Sequence, residues 1–230
     1  MNKFLQDSEG GALVEFTLVF PILLLVALGT IDFTYMLFDW SMANKAAFTG
    51  ARHAVVSNPV ATGITNVTYT AAQMANLGQW CFNTATGATN ANCPTESSIC
   101  TAAASNGSCT NGYAWNETAF TNPTATNEWQ KGILDKMQEV FPRLRRRNVQ
   151  ISYQTTGLGF VGRPGGLPMN VTVSIRCMTH QFYFINGLMR WAFTAPAGCP
   201  AGTPAGPSIP AFATTLTSEC MDTTTDCTGA

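Results

Sequence analysis

The sequence predicts an α+β protein with a long N-terminal transmembrane helix followed by a disulfide-stapled ectodomain that contains a short helix and a small antiparallel sheet. Three observations support this fold class. Residues 12–31 form an apolar run, eight cysteines lie C-terminal to it, and a helical apolar stripe precedes two segments of alternating apolar and polar residues. A chain of 230 residues is long enough for one anchor helix and one domain.

The composition excludes several classes of function. Charged residues make up 11% of the chain, about half the ~25% of a typical soluble domain. Twelve Lys and Arg stand against thirteen Asp and Glu, so there is no basic excess for nucleic acid. The sequence has no Walker-type phosphate loop, and neither His53 nor His180 has a triad-like spacing to Ser or Asp. We therefore expect neither an enzyme nor a cofactor.

The first element is the apolar run of residues 12–31. A helix of about 20 mostly apolar residues can cross the ~30 Å hydrocarbon core of a bilayer. The run contains one carboxylate, Glu15. Because an ionised Glu at the bilayer centre costs at least ~2.5 kcal/mol, an acid in such a helix indicates a function.

The residues around Glu15 follow a pattern of a glycine, four small or apolar residues, a glutamate and an aromatic residue. The segment reads Gly10-Gly11-Ala12-Leu13-Val14-Glu15-Phe16. It resembles the processing site of type IV pilins and pseudopilins. The resemblance implies that a prepilin peptidase cuts between Gly10 and Gly11 on the cytoplasmic side and that the helix stays on the mature chain. It also implies that Glu15, followed by Phe16, pairs with a free terminal amine, its own or a neighbour's, so that neither charge is alone in lipid.

Further segments narrow the resemblance to the TadE-like minor pseudopilins of tight-adherence (Flp, type IVc) pilus systems. These segments are residues 15–16, 20–25, 29–33 and 44–55. The close resemblance covers residues 10–56, and a looser one covers the alternating segments near Val149 and Val171. Residues 57–127 and those after Cys199 follow no pattern of this family.

Two other interpretations of the N-terminus stay open. Ala27-Leu28-Gly29 has the small-x-small pattern of a signal-peptidase site, which would release a chain that starts at Thr30. Against a signal peptide, Lys3 is the only base before the run, and Glu15 interrupts it. The second interpretation is an uncleaved anchor whose Glu15 reaches the membrane interface.

The helix is predicted to continue beyond the bilayer. Apolar residues recur at three- and four-residue steps at positions 33, 37, 40, 47, 51 and 55. The rows Ala43-Ala47-Ala51 and Ala46-Gly50-Ala54 allow close approach of another element, either a neighbouring helix or this chain's own ectodomain, and the second is favoured. Asn58-Pro59 ends the helix, because the residue before a proline avoids the α region. Residues 12–56 then form one rod roughly 67 Å long.

The cysteines place the C-terminal part in an oxidising compartment. They are Cys81, Cys93, Cys100, Cys109, Cys177, Cys199, Cys220 and Cys227. None forms a Cys-x-x-Cys pair and the chain has only two histidines, so we expect disulfides and no metal site. The clustering favours bridges within residues 81–109 and a small loop closed by Cys220 and Cys227.

A second helix and two strands follow a Thr- and Asn-rich region. Asn127 can cap the helix and Pro142 ends it. Its apolar stripe is expected in the core and comprises Trp129, Ile133, Met137, Val140 and Phe141. The basic segment 143–147 can contact lipid headgroups or acidic neighbours, but a solvated turn is the favoured expectation. The alternating strands contain Val149, Ile151 and Tyr153, then Val171, Val173, Ile175 and Cys177, and residues 182–185 are a candidate third strand. A long helix with strands packed nearby resembles the pilin plan.

These observations predict a cleaved leader at residues 1–10, a transmembrane helix at 11–32, a helix extension at 33–57 and a periplasmic or extracellular domain at 58–230. The resemblance implies a minor pseudopilin of the bacterial inner membrane that assists assembly of a tight-adherence pilus or a related secretion system. Its implied partners are the prepilin peptidase, the major pilin, other minor pseudopilins, the inner-membrane platform with its ATPase, and the lipid bilayer. The alternative is a monomeric membrane-anchored binding or adhesion domain on the periplasmic side or the cell surface.

Overall fold

The computed structural model describes residues 8–66, 68–163, 166–184, 186–189, 193–200, 202–218 and 221. The helices are α1 (Ser8–Ala54), α2 (Ala71–Met74), α3 (Glu117–Phe120), α4 (Ile133–Val140) and α5 (Asn186–Met189), with 3₁₀ turns at Glu128–Gln130 and Arg146–Asn148. The strands are β1 (Ala61–Thr62), β2 (Phe82–Asn83), β3 (Ala88–Thr89), β4 (Ser97–Ala102), β5 (Gly107–Cys109), β6 (Ala114–Trp115), β7 (Val149–Thr155), β8 (Met169–Ile175) and β9 (Phe212–Ser218).

Helix α1 is continuous over 47 residues, which corresponds to about 70 Å at 1.5 Å per residue. It includes Pro21. The long N-terminal helix predicted from the apolar run is therefore confirmed, although it begins at Ser8 and ends two residues before the predicted Val56. The amide of Val56 bonds the carbonyl of His53 in a final turn, and Asn58-Pro59 follows.

The central sheet is antiparallel and has the strand order β5-β4-β7-β8-β9. Val149 lies opposite Ile175, and Tyr153 lies opposite Val171, so the two alternating segments pair as neighbours. Their apolar side chains are buried on one face, and the intervening polar ones lie on the other. Because α1 packs across β8 and β9 and α4 packs against α1, the ectodomain has a helical layer on a sheet layer. The predicted small antiparallel sheet is confirmed.

The candidate third strand at residues 182–185 is wrong for the residues described. Residues 182–184 belong to no strand, and Ile185 lies outside the described residues. The backbone N–H groups of Tyr183 and Phe184 donate to the carboxylate of Asp32 on α1 instead of a strand ladder. The place beside β8 is taken by β9, from the Thr-rich C-terminal region.

The apolar stripe of the second helix is buried, or half-buried at Val140, except at its first position. Ile133, Met137 and Phe141 are buried, whereas Trp129 is 83% exposed. Asn127 accepts a hydrogen bond from the amide of Gln130, so it caps a separate 3₁₀ turn rather than α4. Because extended backbone at Lys131 separates this turn from α4, Trp129 does not continue the stripe.

The small residues of α1 pack on this chain's own ectodomain. Five alanines of α1 are fully buried, at positions 43, 46, 47, 51 and 54. Gly50 lies against Met137 of α4, where a Cβ would come within 2.6 Å of the Met137 Cγ. The favoured alternative for the small-residue rows is therefore the observed one.

Within the described residues, three disulfides link segments of the ectodomain, and one of them joins the paired strands β4 and β5. They join Cys81 to Cys93, Cys100 to Cys109, and Cys177 to Cys199. The first two lie within residues 81–109, and the third connects the end of the β8 region to the loop before β9. Cys220 and Cys227 lie outside the described residues, so the loop expected between them stays a prediction. The disulfide-stapled ectodomain is confirmed.

Candidate membrane and assembly surface

The first half of α1 presents apolar side chains over its whole circumference. The large apolar side chains described between Leu13 and Val26 are exposed. By length and composition α1 could span a membrane: its most apolar window has a mean hydropathy of 2.3, and none of that window is buried. A surface of this kind, about 20 residues long, matches the hydrocarbon core of a bilayer.

Glu15 lies on this exposed half of α1. It stands four residues after Gly11, or about 6 Å along the helix axis. Phe16 is also exposed, and its ring stacks on that of Phe20 at 5.3 Å. A Cβ at Gly11 would meet no atom within 4 Å. In the described part of the chain no side chain of the ectodomain reaches Glu15, so it lies apart from the packed half of the helix.

Two further carboxylates of α1 face the ectodomain. Asp32 is fully buried, and it accepts hydrogen bonds from the amides of Tyr183 and Phe184 at 3.0 and 2.9 Å. Asp39, seven residues further on and 6% exposed, accepts from Arg143 Nη1 at 2.5 Å and from His180 Nδ1 at 2.9 Å. Residues seven apart lie two turns apart on one helix face. The two acids therefore attach the loop after β8 to the helix.

Sequence reasoning missed this pair of acids as functional residues. The signal was two carboxylates seven residues apart in an otherwise apolar stretch of helix, at positions 32 and 39. Their partners are more than 100 residues away in the chain, and no local pattern identifies them.

The basic residues 143–147 line a cavity of about 720 Å³ beside Asp39. Arg143 pairs with Asp39, Arg147 donates to the carbonyl of Gly202, and Arg146 forms a bidentate pair with Glu117. The hydrogen bonds from Arg146 lower the pKa of Glu117. Arg143 and Arg145 are exposed, as expected for a solvated turn, whereas Arg146 and Arg147 are half-buried. The contacts of Arg143 with Asp39 and of Arg146 with Glu117 correspond to the other expectation, acidic neighbours.

The end of α1 that is distant from the apolar half is fixed by His53. Its Nε2 donates to the carbonyl of Lys131 at 2.7 Å. Burial lowers the pKa of His53, so the neutral ring is the form that the fold favours. His53 therefore has a packing role, as expected for a histidine without a catalytic partner.

The described residues contain no group of three or more His, Cys, Asp or Glu side chains that could hold a metal ion. Their arrangement joins an exposed apolar half-helix to an ectodomain through buried carboxylates and small residues.

Comparison with known proteins gives a family match for the segment that forms α1. The family model described as TadE-like protein matches residues 10–52, which lie almost entirely within α1. No curated protein and no solved structure gives a significant match to the chain. The TadE-like segment and the apolar helix together fit a membrane protein associated with a tight-adherence pilus. This match supports the TadE-like pilus-assembly family for residues 10–52 of the chain.

Proposed function

We propose that the protein is a minor pseudopilin that assists assembly of a tight-adherence pilus or a related secretion system. A prepilin peptidase removes residues 1–10 by cutting between Gly10 and Gly11. The mature chain then rests in the inner membrane through the exposed half of α1. Glu15 sets its register by pairing with a terminal amine, its own or that of a neighbouring subunit.

The observation that carries this proposal is the position of Glu15. It is the one carboxylate of the apolar run at residues 12–31, about one turn beyond Gly11, and no described side chain of the ectodomain reaches it. A carboxylate in this environment needs a partner, because an unpaired ion in lipid is strongly disfavoured. Cleavage after Gly10 creates a cationic amine within one helical turn, which supplies that partner without any further residue.

The disulfides support the orientation. Three bridges in the ectodomain are stable in an oxidising compartment. The ectodomain therefore lies on the periplasmic side, and the leader lies on the cytoplasmic side, where the peptidase acts.

The partners follow from this placement. The major pilin and other minor pseudopilins contact the exposed half of α1, and the inner-membrane platform with its ATPase moves the subunit. The TadE-like family is structural rather than catalytic. The role of this chain is accordingly assembly, not turnover of a substrate.

The first experiment determines the N-terminus of the membrane-extracted chain by intact mass, after co-expression with the prepilin peptidase of a tight-adherence system. We expect a chain that starts at Gly11. Gly10→Val should leave the chain intact from Met1, because a branched side chain replaces the glycine at the cut. An intact wild-type chain in the presence of active peptidase, or a start at Thr30, would contradict the proposal.

The Glu15→Gln variant distinguishes a role in pilus assembly from a role in membrane anchoring alone. We expect normal processing and membrane insertion, but loss of pili or of co-purifying pilus subunits, because the amine loses its anionic partner. Gly29→Ala is the matched control, since a Cβ at Gly29 meets no atom within 4 Å and the helix retains its charges. Unchanged piliation with Glu15→Gln would favour the alternative function.

That alternative is a monomeric membrane-anchored binding or adhesion domain. One observation favours it: the small-residue rows of α1 are covered by this chain's own ectodomain and are not free for a neighbouring helix. The two functions differ in whether the exposed half of α1 contacts another subunit. The Glu15→Gln comparison tests that difference.

A further inference from the structure

The loop formed by residues 182–184 lies beside α1 at the end of its apolar run. The amides of Tyr183 and Phe184 both bond to Asp32, and the ring of Tyr183 meets that of Tyr35 edge to face at 5.9 Å. These contacts fix the height of the loop along the helix axis at Asp32. We call residues 182–184 the interfacial loop.

The height of Asp32 follows from the length of the span. Residues 12–31 are the apolar run, and about 20 helical residues cover the ~30 Å hydrocarbon core. Asp32 is the next residue, so it stands at the boundary between hydrocarbon and headgroups. The interfacial loop, bonded to Asp32, stands at the same boundary.

The chemistry of the interfacial loop suits that boundary. Tyr183 is 67% exposed and Phe184 is 54% exposed, although both belong to the ectodomain. Tyrosine and tryptophan are enriched at the membrane–water interface, where their amphipathic rings rest at headgroup level, and the apolar ring of Phe184 lies beside Tyr183 in the chain. The exposed rings of Phe33 and Tyr35 on α1 continue the same apolar surface.

Asp32 itself favours this placement. At a depth with little water, a carboxylate is stable only if hydrogen-bond donors surround it. The interfacial loop supplies two backbone donors to Asp32. These hydrogen bonds stabilise the carboxylate at the boundary, and the carboxylate in turn holds the loop there. A loop bonded elsewhere on the helix would leave Asp32 at the boundary without these donors.

We propose that the interfacial loop inserts Tyr183 and Phe184 into the headgroup region of the bilayer leaflet nearest the ectodomain. The protein is then held by the membrane at two places, the α1 span and the interfacial loop. The partner is the phospholipid surface itself. This inference depends on α1 spanning a bilayer, but not on processing by a peptidase or on pilus assembly.

The test uses the full-length chain in phosphatidylcholine nanodiscs, with the photo-crosslinking residue p-benzoylphenylalanine at position 184. Position 24, in the middle of the apolar run, is the positive control. Position 129 is the matched negative control, because Trp129 is also exposed but lies far from the boundary at Asp32. Trp129 precedes Lys131 by two residues, and the carbonyl of Lys131 bonds His53, which lies about 32 Å along α1 from Asp32. We expect lipid adducts at position 184 in at least about fivefold higher yield than at position 129.

Two results would overturn the proposal. One is a lipid yield at position 184 equal to that at position 129. The other is crosslinking at position 184 mainly to a second copy of this chain, which would make the loop a protein contact. Asp32→Ala adds a second readout: the yield at position 184 should fall while that at position 24 stays the same. Intact mass without reductant checks that the three disulfides still form in each variant.

Discussion

Asp39 on α1 has a buried histidine ring among its hydrogen-bond partners, unlike the ion-paired carboxylates described in the ectodomain. His180 is fully buried, and its Nε2 has no hydrogen-bond partner in the described residues, so Nδ1 is the atom that holds it. Removal of one member of a buried pair leaves the other without compensation. Asp39 is therefore a point where a single substitution should loosen the contact between α1 and the ectodomain.

We expect Asp39→Ala to lower the free energy of unfolding by about 2 to 4 kcal/mol, since His180 and Arg143 both lose their acceptor. Chemical unfolding of the detergent-solubilised chain measures the change. Glu139→Ala is the control: Glu139 pairs with lysines at an exposed site, and such pairs contribute about 0 to 1 kcal/mol. Equal losses for the two variants would show that the Asp39 contacts do not stabilise the fold.

At the scale of elements, α1 and α4 approach closely because Gly50 has no side chain. A Cβ there would stand 2.6 Å from Cγ and 2.7 Å from Sδ of Met137, well inside van der Waals contact. Met137 is fully buried, so its side chain cannot relieve the clash by turning out into solvent. Overpacking of this kind typically costs 1–3 kcal/mol.

Gly50→Ala should therefore destabilise the protein by about 1 to 3 kcal/mol, even though alanine is the better helix former. Gly29→Ala, on the same helix but with open space around its Cβ, should be neutral or slightly stabilising. Thermal unfolding of both variants in one detergent compares them. A stabilised Gly50→Ala variant would mean that the helices separate more easily than the packing indicates.

The elements that sequence reasoning predicted are those with strong apolar patterns. The run before Asp32 identified α1, and full alternation identified β7 and β8. Strand β4 was not predicted, because the apolar–polar alternation is weak where the inward positions hold small residues. These are Ser98, Cys100 and Ala102. Strand β9 was not predicted either, because threonine occupies both of its faces and removes the alternation of apolar and polar residues. Glu15 was visible as a charge among apolar residues, whereas the partners of Asp39 depend on contacts across more than 100 residues.

At the scale of the whole molecule, the ectodomain depends on covalent links as well as on its core. The bridge between Cys177 and Cys199 joins residues at a sequence separation of 22, and the segment between them includes the interfacial loop. A bridge over a segment of that length is expected to contribute about 3 kcal/mol, chiefly by restricting the unfolded chain.

The double variant Cys177→Ser with Cys199→Ser should therefore lower the free energy of unfolding by about 3 kcal/mol. It should also raise proteolysis between residues 181 and 200. The matched double variant at Cys81 and Cys93 should leave that proteolysis unchanged, because this bridge belongs to a separate small cluster with Val161 and Leu167. Cleavage within residues 181–200 that does not depend on the Cys177 bridge would contradict this assignment. Limited digestion followed by mass spectrometry measures the cleavage within residues 181–200 in both double variants.

Helix α1 passes from its exposed half to its packed half without a break, and the ectodomain is attached along it from Asp32 to Ala54. No linker lies between the exposed apolar half of α1 and the domain. An axial displacement by one helical turn, about 5.4 Å, moves both by the same distance. A force applied to the ectodomain along this axis therefore acts directly on the apolar half of the helix, and no extensible joint lies between them to absorb the work.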